Sequence, residues 1–147
     1  MKLRFLALPV VVAAMAVAAP AMAEKVDCRP ADRDTTLCLK TGGWTEITGT
    51  ERKDEIYGTK GHDIILGDGG DDVIYAGAGN DEIDGGHGRD RIQAGPGNDV
   101  IYSRDGQRDT IDCGSGKDVV VADTVDVVNK NCEKVTRKRT KDPRTLD

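Results

Sequence analysis

Apolar residues recur at a nine-residue interval through the middle of the chain. The recurring position holds isoleucine and finally valine: Ile56, Ile65, Ile74, Ile83, Ile92, Ile101, Ile111 and Val120. The interval lengthens by one residue only between Ile101 and Ile111. The apolar residue lies in the middle of a three-residue segment, so the pattern predicts a short β-strand with one inward side chain in every repeat.

A stretch of six residues rich in glycine and aspartate precedes each of these strands, beginning at Gly49. Glycine permits positive φ, and aspartate tolerates tight turns and bonds to the nearby backbone, so these stretches predict loops. Their sixth position, or the seventh in the longer loop 103–109, is always aspartate: Asp54, Asp63, Asp72, Asp81, Asp90, Asp99, Asp109 and Asp118. Each unit is therefore a loop followed by a strand.

These units resemble the haemolysin-type, or RTX, calcium-binding repeat, which reads Gly-Gly-x-Gly-x-Asp-x-apolar-x. The resemblance covers residues 49–121. It implies an all-β fold, a right-handed parallel β-roll of about four coils, in which loops stack along each edge at the usual strand spacing of about 4.8 Å. Calcium prefers oxygen ligands, which backbone carbonyls and the sixth-position carboxylates of stacked loops would supply.

The resemblance also implies which residues form the calcium sites. The carboxylate ligands would be Asp63, Asp72, Asp81, Asp90, Asp99 and Asp118. The loop glycines of these sites, whose backbone carbonyls would be exposed to the ion, are Gly58, Gly67 and Gly85 at the first loop position and Gly61, Gly70, Gly79, Gly88, Gly97 and Gly116 at the fourth. Asp54 and Asp109 are weaker candidates, because loop 49–54 carries Arg52 and Lys53 and loop 103–109 is one residue longer, with two arginines. We expect about four calcium sites, and up to six.

The composition changes once the first 23 residues are set aside. Residues 1–23 have a basic start, an apolar run and a small-residue end, the pattern of a cleaved secretory signal. The net charge of −5 becomes −7 in the mature chain, because Lys2 and Arg4 are lost. Leu, Ile, Val and Phe then fall below the roughly 20% typical of folded chains. A large-core enzyme is excluded, and we expect the chain to stay disordered without calcium and to fold when it binds.

The mature chain has four cysteines, an even number that favours disulfides in an exported protein. Four cysteines permit three pairings, and proximity in sequence favours Cys28–Cys38 and Cys113–Cys132. Residues 24–48 and 122–135 are predicted to cap the roll, since solenoid ends expose unpaired edges. Residues 136–147 are rich in lysine and arginine and are expected to form a disordered tail.

The function expected from these features is non-catalytic: a secreted, monomeric calcium-binding protein with a structural or adhesive role outside the cell. His62 and His87 fall on loop positions as spacers, and the sequence contains no His-Glu-x-x-His motif. The acidic roll argues against nucleic acid, and no segment beyond the signal is apolar enough to span a membrane.

Two alternatives stay open. One is an accessory module of a secreted exoenzyme or toxin system, the usual setting of such repeats. The other is a binder of a cell-envelope glycan, polymer or protein, through a strip formed by Tyr57, Tyr75 and Tyr102.

Overall fold

The computed structural model describes residues 37–41 and 43–137. The signal segment 1–23, the Cys28–Cys38 pairing and residues 138–147 of the expected tail lie outside this part of the chain.

The described chain folds into strands that alternate between two sheets. The strands are β1 (Leu37–Thr41), β2 (Trp44–Thr48), β3 (Glu55–Tyr57), β4 (His62–Leu66), β5 (Val73–Tyr75), β6 (Glu82–Asp84), β7 (Arg91–Pro96), β8 (Val100–Ser103), β9 (Thr110–Ser115), β10 (Val119–Ala122), β11 (Val127–Val128) and β12 (Lys134–Arg137). One sheet has the order β1-β2-β4-β6-β8-β10-β12 and the other β11-β9-β7-β5-β3. Every pairing is parallel except β1 with β2.

This topology confirms the all-β solenoid with parallel stacked coils. From β2 onward, each strand pairs with the strand two positions further along the chain, so one coil contributes one strand to each sheet. The register places equivalent positions side by side, as in Ile65 beside Ile83 and Ile83 beside Ile101. Every second nine-residue unit therefore stacks on the same edge, with its loop directly above the loop of the unit two before it.

Two facing columns of branched apolar side chains, one from each sheet, fill the space between the sheets. The predicted apolar residues are completely buried, and the series starts one unit earlier than the loops indicate, at Ile47. The first loop position adds a second layer of small buried residues: Ala76, Ala94, Ser103, Cys113 and Ala122.

In the described part of the two predicted caps, the strands continue the coils. At the start, β2 pairs in parallel with β4, and β1 folds back on β2 as an antiparallel edge. At the other end, β11 adds to β9 and β12 adds to β10. The roll thus extends past the expected limits of 49–121 and past four coils. At both ends the strands keep the spacing of the repeat, although the loops between them lack the glycine-rich pattern.

The predicted Cys113–Cys132 disulfide is present, with Cα atoms 5.3 Å apart. It joins the eighth unit to the segment leading into β12. That strand continues through Arg137, so the first two residues of the expected tail are ordered instead. Arg137 donates from Nη1 to the backbone carbonyls of Asp123 and Asp126, at 3.0 Å each.

Candidate metal centre

The sixth-position aspartates form two columns, one along each edge of the solenoid. The first column runs Asp54, Asp72, Asp90, Asp109 and Asp126; the second runs Asp63, Asp81, Asp99, Asp118 and Glu133. From Asp63 to Asp118 each repeat aspartate is at most 2% exposed. They are therefore buried structural groups and not turn residues on a solvated surface.

A continuous ladder of backbone-to-carboxylate hydrogen bonds builds each column. The amide of Asp63 donates to Oδ1 of Asp81 at 2.9 Å, and the amide of Asp81 donates to Oδ1 of Asp99 at 2.8 Å. The same bond links successive members of the first column. One carboxylate oxygen of each interior aspartate is thus occupied by the preceding coil, which fixes the side chain in its position.

The last member of each column was missed by the sequence analysis. Asp126 accepts the amide of Asp109 at 3.1 Å, and Glu133 accepts the amide of Asp118 at 2.8 Å. Both lie two residues before a valine that continues the apolar column in register, Val128 and Val135. That spacing was a usable signal, but the preceding loops lack the glycines that the repeat consensus emphasises.

The second carboxylate oxygen of six aspartates has no hydrogen-bond partner in the described structure. These buried Oδ2 atoms belong to Asp72, Asp81, Asp90, Asp99, Asp109 and Asp118. A buried anionic oxygen without a donor is costly, because neither water nor protein compensates its charge. The columns therefore present a series of acceptors that the chain alone does not satisfy.

The pKa values of these carboxyl groups are raised. Burial, opposed by the ladder bond and reinforced by neighbouring carboxylates, raises the pKa of Asp72 to about 7 and that of Asp109 to about 8. The pKa values of Asp81, Asp90 and Asp99 rise to about 6 for the same leading reason. Burial also raises the pKa of Asp118. The folded chain without a metal thus resists full ionisation of its own columns near neutral pH.

The predicted glycines keep the columns and the stacked loops close together. A Cβ atom on Gly58, Gly67 or Gly85 would lie 2.6–2.9 Å from the Oδ2 of the aspartate in the same unit. At the fourth loop position, a Cβ on Gly79 would lie 2.1 Å from the carbonyl oxygen of Gly61 in the coil before. Gly70, Gly88, Gly97 and Gly116 have equally close backbone neighbours. Each loop therefore stacks directly on the backbone of the loop before it.

This donor set fits calcium. Calcium takes six to eight oxygen ligands, from carboxylates and backbone carbonyls, and the six unpartnered oxygens are of the right kind. In the part of the chain that the structure describes, no three His, Cys, Asp or Glu side chains converge to hold an ion by themselves. Backbone carbonyls of the stacked loops would have to complete each site, as the resemblance implies.

Of the two weaker candidates, Asp109 has the same environment as Asp90. It is completely buried, bonds to the amide of Asp90 through Oδ1 and leaves Oδ2 unpartnered. The longer loop is accommodated because the Asp105 carboxylate accepts the amide of Gly88 at 2.9 Å. The equivalent acceptor in a regular loop is a backbone carbonyl, as in Gly70 to His87. The other candidate, Asp54, is only partly buried and accepts hydrogen bonds from Thr50.

The tyrosines do not form the single strip that the glycan alternative assumes. Tyr57 and Tyr75 stack with ring centroids 5.1 Å apart on the five-stranded sheet. Tyr102 lies in β8, on the seven-stranded sheet. The two histidines are exposed, as expected, and His62 contacts the ring of Trp44 edge-on.

The family model of the RTX calcium-binding nonapeptide repeat (four copies) matches this chain over residues 48–83, 75–109 and 84–120. These matches cover the region that contains both columns up to Asp118. No curated protein and no solved structure matches the chain. Within residues 37–41 and 43–137, no helix is long and apolar enough to cross a membrane.

Proposed function

Because this chain belongs to the RTX family of calcium-binding nonapeptide repeats, we propose that it is a secreted, non-catalytic protein that folds into a rigid rod when it binds calcium. The observation that carries the proposal is the set of six buried aspartate oxygens without a donor, stacked in two columns. The ladder fixes each aspartate through Oδ1 and leaves Oδ2 without a donor, an arrangement suited to a calcium ion.

Electrostatic repulsion supports a need for the ion. Stacked carboxylates lie about one strand spacing apart, and two like charges at such a distance cost on the order of 1 to 4 kcal/mol at intermediate dielectric. The penalty recurs at every step of a column, whereas the apolar core holds only about one large buried side chain per nine-residue unit. A divalent cation between loops would turn each repulsion into an attraction, so binding and folding should be coupled.

The proposed coupling and the disulfide support an extracellular site of action. Modules with weak sites fill at the roughly 0.1–1 mM calcium found outside cells, and the Cys113–Cys132 bridge suits an oxidising compartment. We infer a structural or adhesive role, with four to six bound ions.

The proposal is tested by measuring the size of the chain from residue 24 to 147 with and without calcium. In small-angle scattering, we expect an expanded chain after chelation and a compact rod at about 1 mM calcium. Magnesium at the same concentration is the control, and it should compact the chain far less, because it demands a smaller octahedral site. An equally compact chelated protein would refute calcium-coupled folding, and hydrolytic activity of the calcium-loaded protein would refute the non-catalytic assignment.

A further inference from the structure

The two loops of the first coil differ from the later loops at their second position. This position holds Thr50 in loop 49–54 and Thr59 in loop 58–63. In five later loops it has a positive φ: Asp68 (73°), Gly77 (107°), Gly86 (85°), Gly95 (109°) and Gly114 (89°). Among the described residues, Asp68 is the only non-glycine residue with positive φ. Threonine is β-branched and disfavours that conformation, so its presence selects a different loop backbone.

In the two loops that contain threonine, the threonine donates hydrogen bonds to the aspartate of its own unit. The amide and hydroxyl of Thr50 donate to Oδ2 of Asp54 at 2.6 and 2.9 Å. The amide of Thr59 donates to Oδ2 of Asp63 at 2.5 Å, and its hydroxyl donates to Oδ1 at 2.9 Å. Neither carboxylate has a buried oxygen without a partner, unlike the six aspartates further along the columns.

A similar arrangement closes the far end of the first column. Oδ2 of Asp126 accepts the hydroxyl of Ser103 at 3.2 Å and the amide of Asp123 at 2.6 Å. Protein donors therefore satisfy the first and last aspartates of this column, and only the interior members have unpartnered oxygens. Hydrogen bonds donated to a carboxylate stabilise its charge in the same sense as a cation does.

We propose that Thr50 and Thr59 replace calcium in the first coil, so that the calcium-binding part of the columns begins at Asp72 and Asp81. This inference rests on the proposed calcium binding and narrows it. Asp63, which the repeat pattern places among the ligands, becomes a structural carboxylate that needs no ion. The first coil then provides a template, formed by side-chain donors, onto which the calcium-dependent coils stack.

The first test compares two aspartates of the same column by calorimetric calcium titration. Asp63→Asn and Asp99→Asn each remove one charge from a side chain that is 1% exposed. We expect Asp63→Asn to bind as many ions as the wild type, and Asp99→Asn to bind about one fewer, since calcium sites depend on their carboxylates. Equal losses in the two variants would overturn the inference.

The second test restores the repeat consensus at the threonine. Thr59→Gly removes the hydroxyl and permits the left-handed loop, so it should leave the Asp63 carboxylate unpartnered and add about one bound ion. Thr59→Ser keeps the hydroxyl and is the control, with an unchanged number of ions. An unchanged number in Thr59→Gly would contradict the inference. A wild-type chain that binds no calcium would instead refute the proposed function itself, so the two failures are distinguishable.

Discussion

The close stacking of the loops makes a sharp prediction at Gly79, the fourth residue of its loop. Its φ is +146°, and a Cβ there would lie 2.1 Å from the Gly61 carbonyl oxygen, whereas ordinary contacts begin at 3.4 Å. Gly79→Ala must therefore push the two coils apart by more than an ångström. The clashing atom belongs to the backbone, so a side-chain rotation cannot relieve the contact.

The cost of this substitution follows from the bonds that such a shift would break. Between these two coils, the amide of Ala78 donates to the carbonyl of Thr59 at 3.2 Å, and the amide of Asp63 donates to Oδ1 of Asp81 at 2.9 Å. Losing both would cost about 2 kcal/mol at about 1 kcal/mol each. The unfavourable φ adds roughly 1–3 kcal/mol, and the less flexible unfolded chain returns about 0.5 kcal/mol. The net loss is about 3 kcal/mol, a fall in melting temperature on the order of 10–20 °C.

The assay is a thermal melt followed by far-UV circular dichroism at saturating calcium, with Gly61→Ala as the matched control. Gly61 holds the same loop position one coil earlier, where the nearest atom to a Cβ is the Thr59 hydroxyl at 3.8 Å. The control should melt within about 3 °C of the wild type, as expected of a surface substitution. If Gly79→Ala melted together with Gly61→Ala, the loops would not stack as closely as described.

Three further predictions concern pH, the disulfide and the core. Because burial raises the pKa of Asp72 to about 7 and that of Asp109 to about 8, from 3.8, the folded chain without calcium loses stability as the pH rises above about 4, and the loss is complete above the raised values. Calcium-free protein should therefore show more β-structure by circular dichroism at about pH 5 than at about pH 8, and the reverse order would contradict the raised pKa values. Replacing Cys113 and Cys132 by alanine should cost about 3 kcal/mol and raise hydrogen exchange in β11 and β12, whereas uniform exchange along the roll would show that the bridge does not act locally. Ile83→Ala, at a completely buried position, should cost about 2–5 kcal/mol in denaturant unfolding, against less than about 0.5 kcal/mol for the exposed Glu82→Ala.

The sequence was sufficient for the strands of the repeat and for the stacking of its aspartates, because a fixed period leaves few possible arrangements. Once Ile65 and Ile83 share an inward column, Asp63 and Asp81 must share an edge. The repeat consensus was less informative about the ends. Strand pairing brings Asp126 and Glu133 into the columns without glycine-rich loops, and a search weighted toward glycine does not detect them.

Other features depend on atomic contacts that no pattern of residue types specifies. The register placed Asp63 and Asp99 in equivalent positions, yet Thr59 donates to one carboxylate and no donor reaches the second oxygen of the other. Likewise, two arginines made the loop before Asp109 look unsuitable. Asp105 resolves the insertion by taking the place of a loop carbonyl, and Asp109 keeps its position in the column.

The most direct test of calcium-coupled folding is a calcium titration of the mature chain, followed in parallel by calorimetry and far-UV circular dichroism. The account predicts several bound ions per chain and a β-rich spectrum that develops over the same calcium range as the binding heat. Fewer than about two ions, or a β-rich spectrum that survives complete removal of calcium, would contradict it.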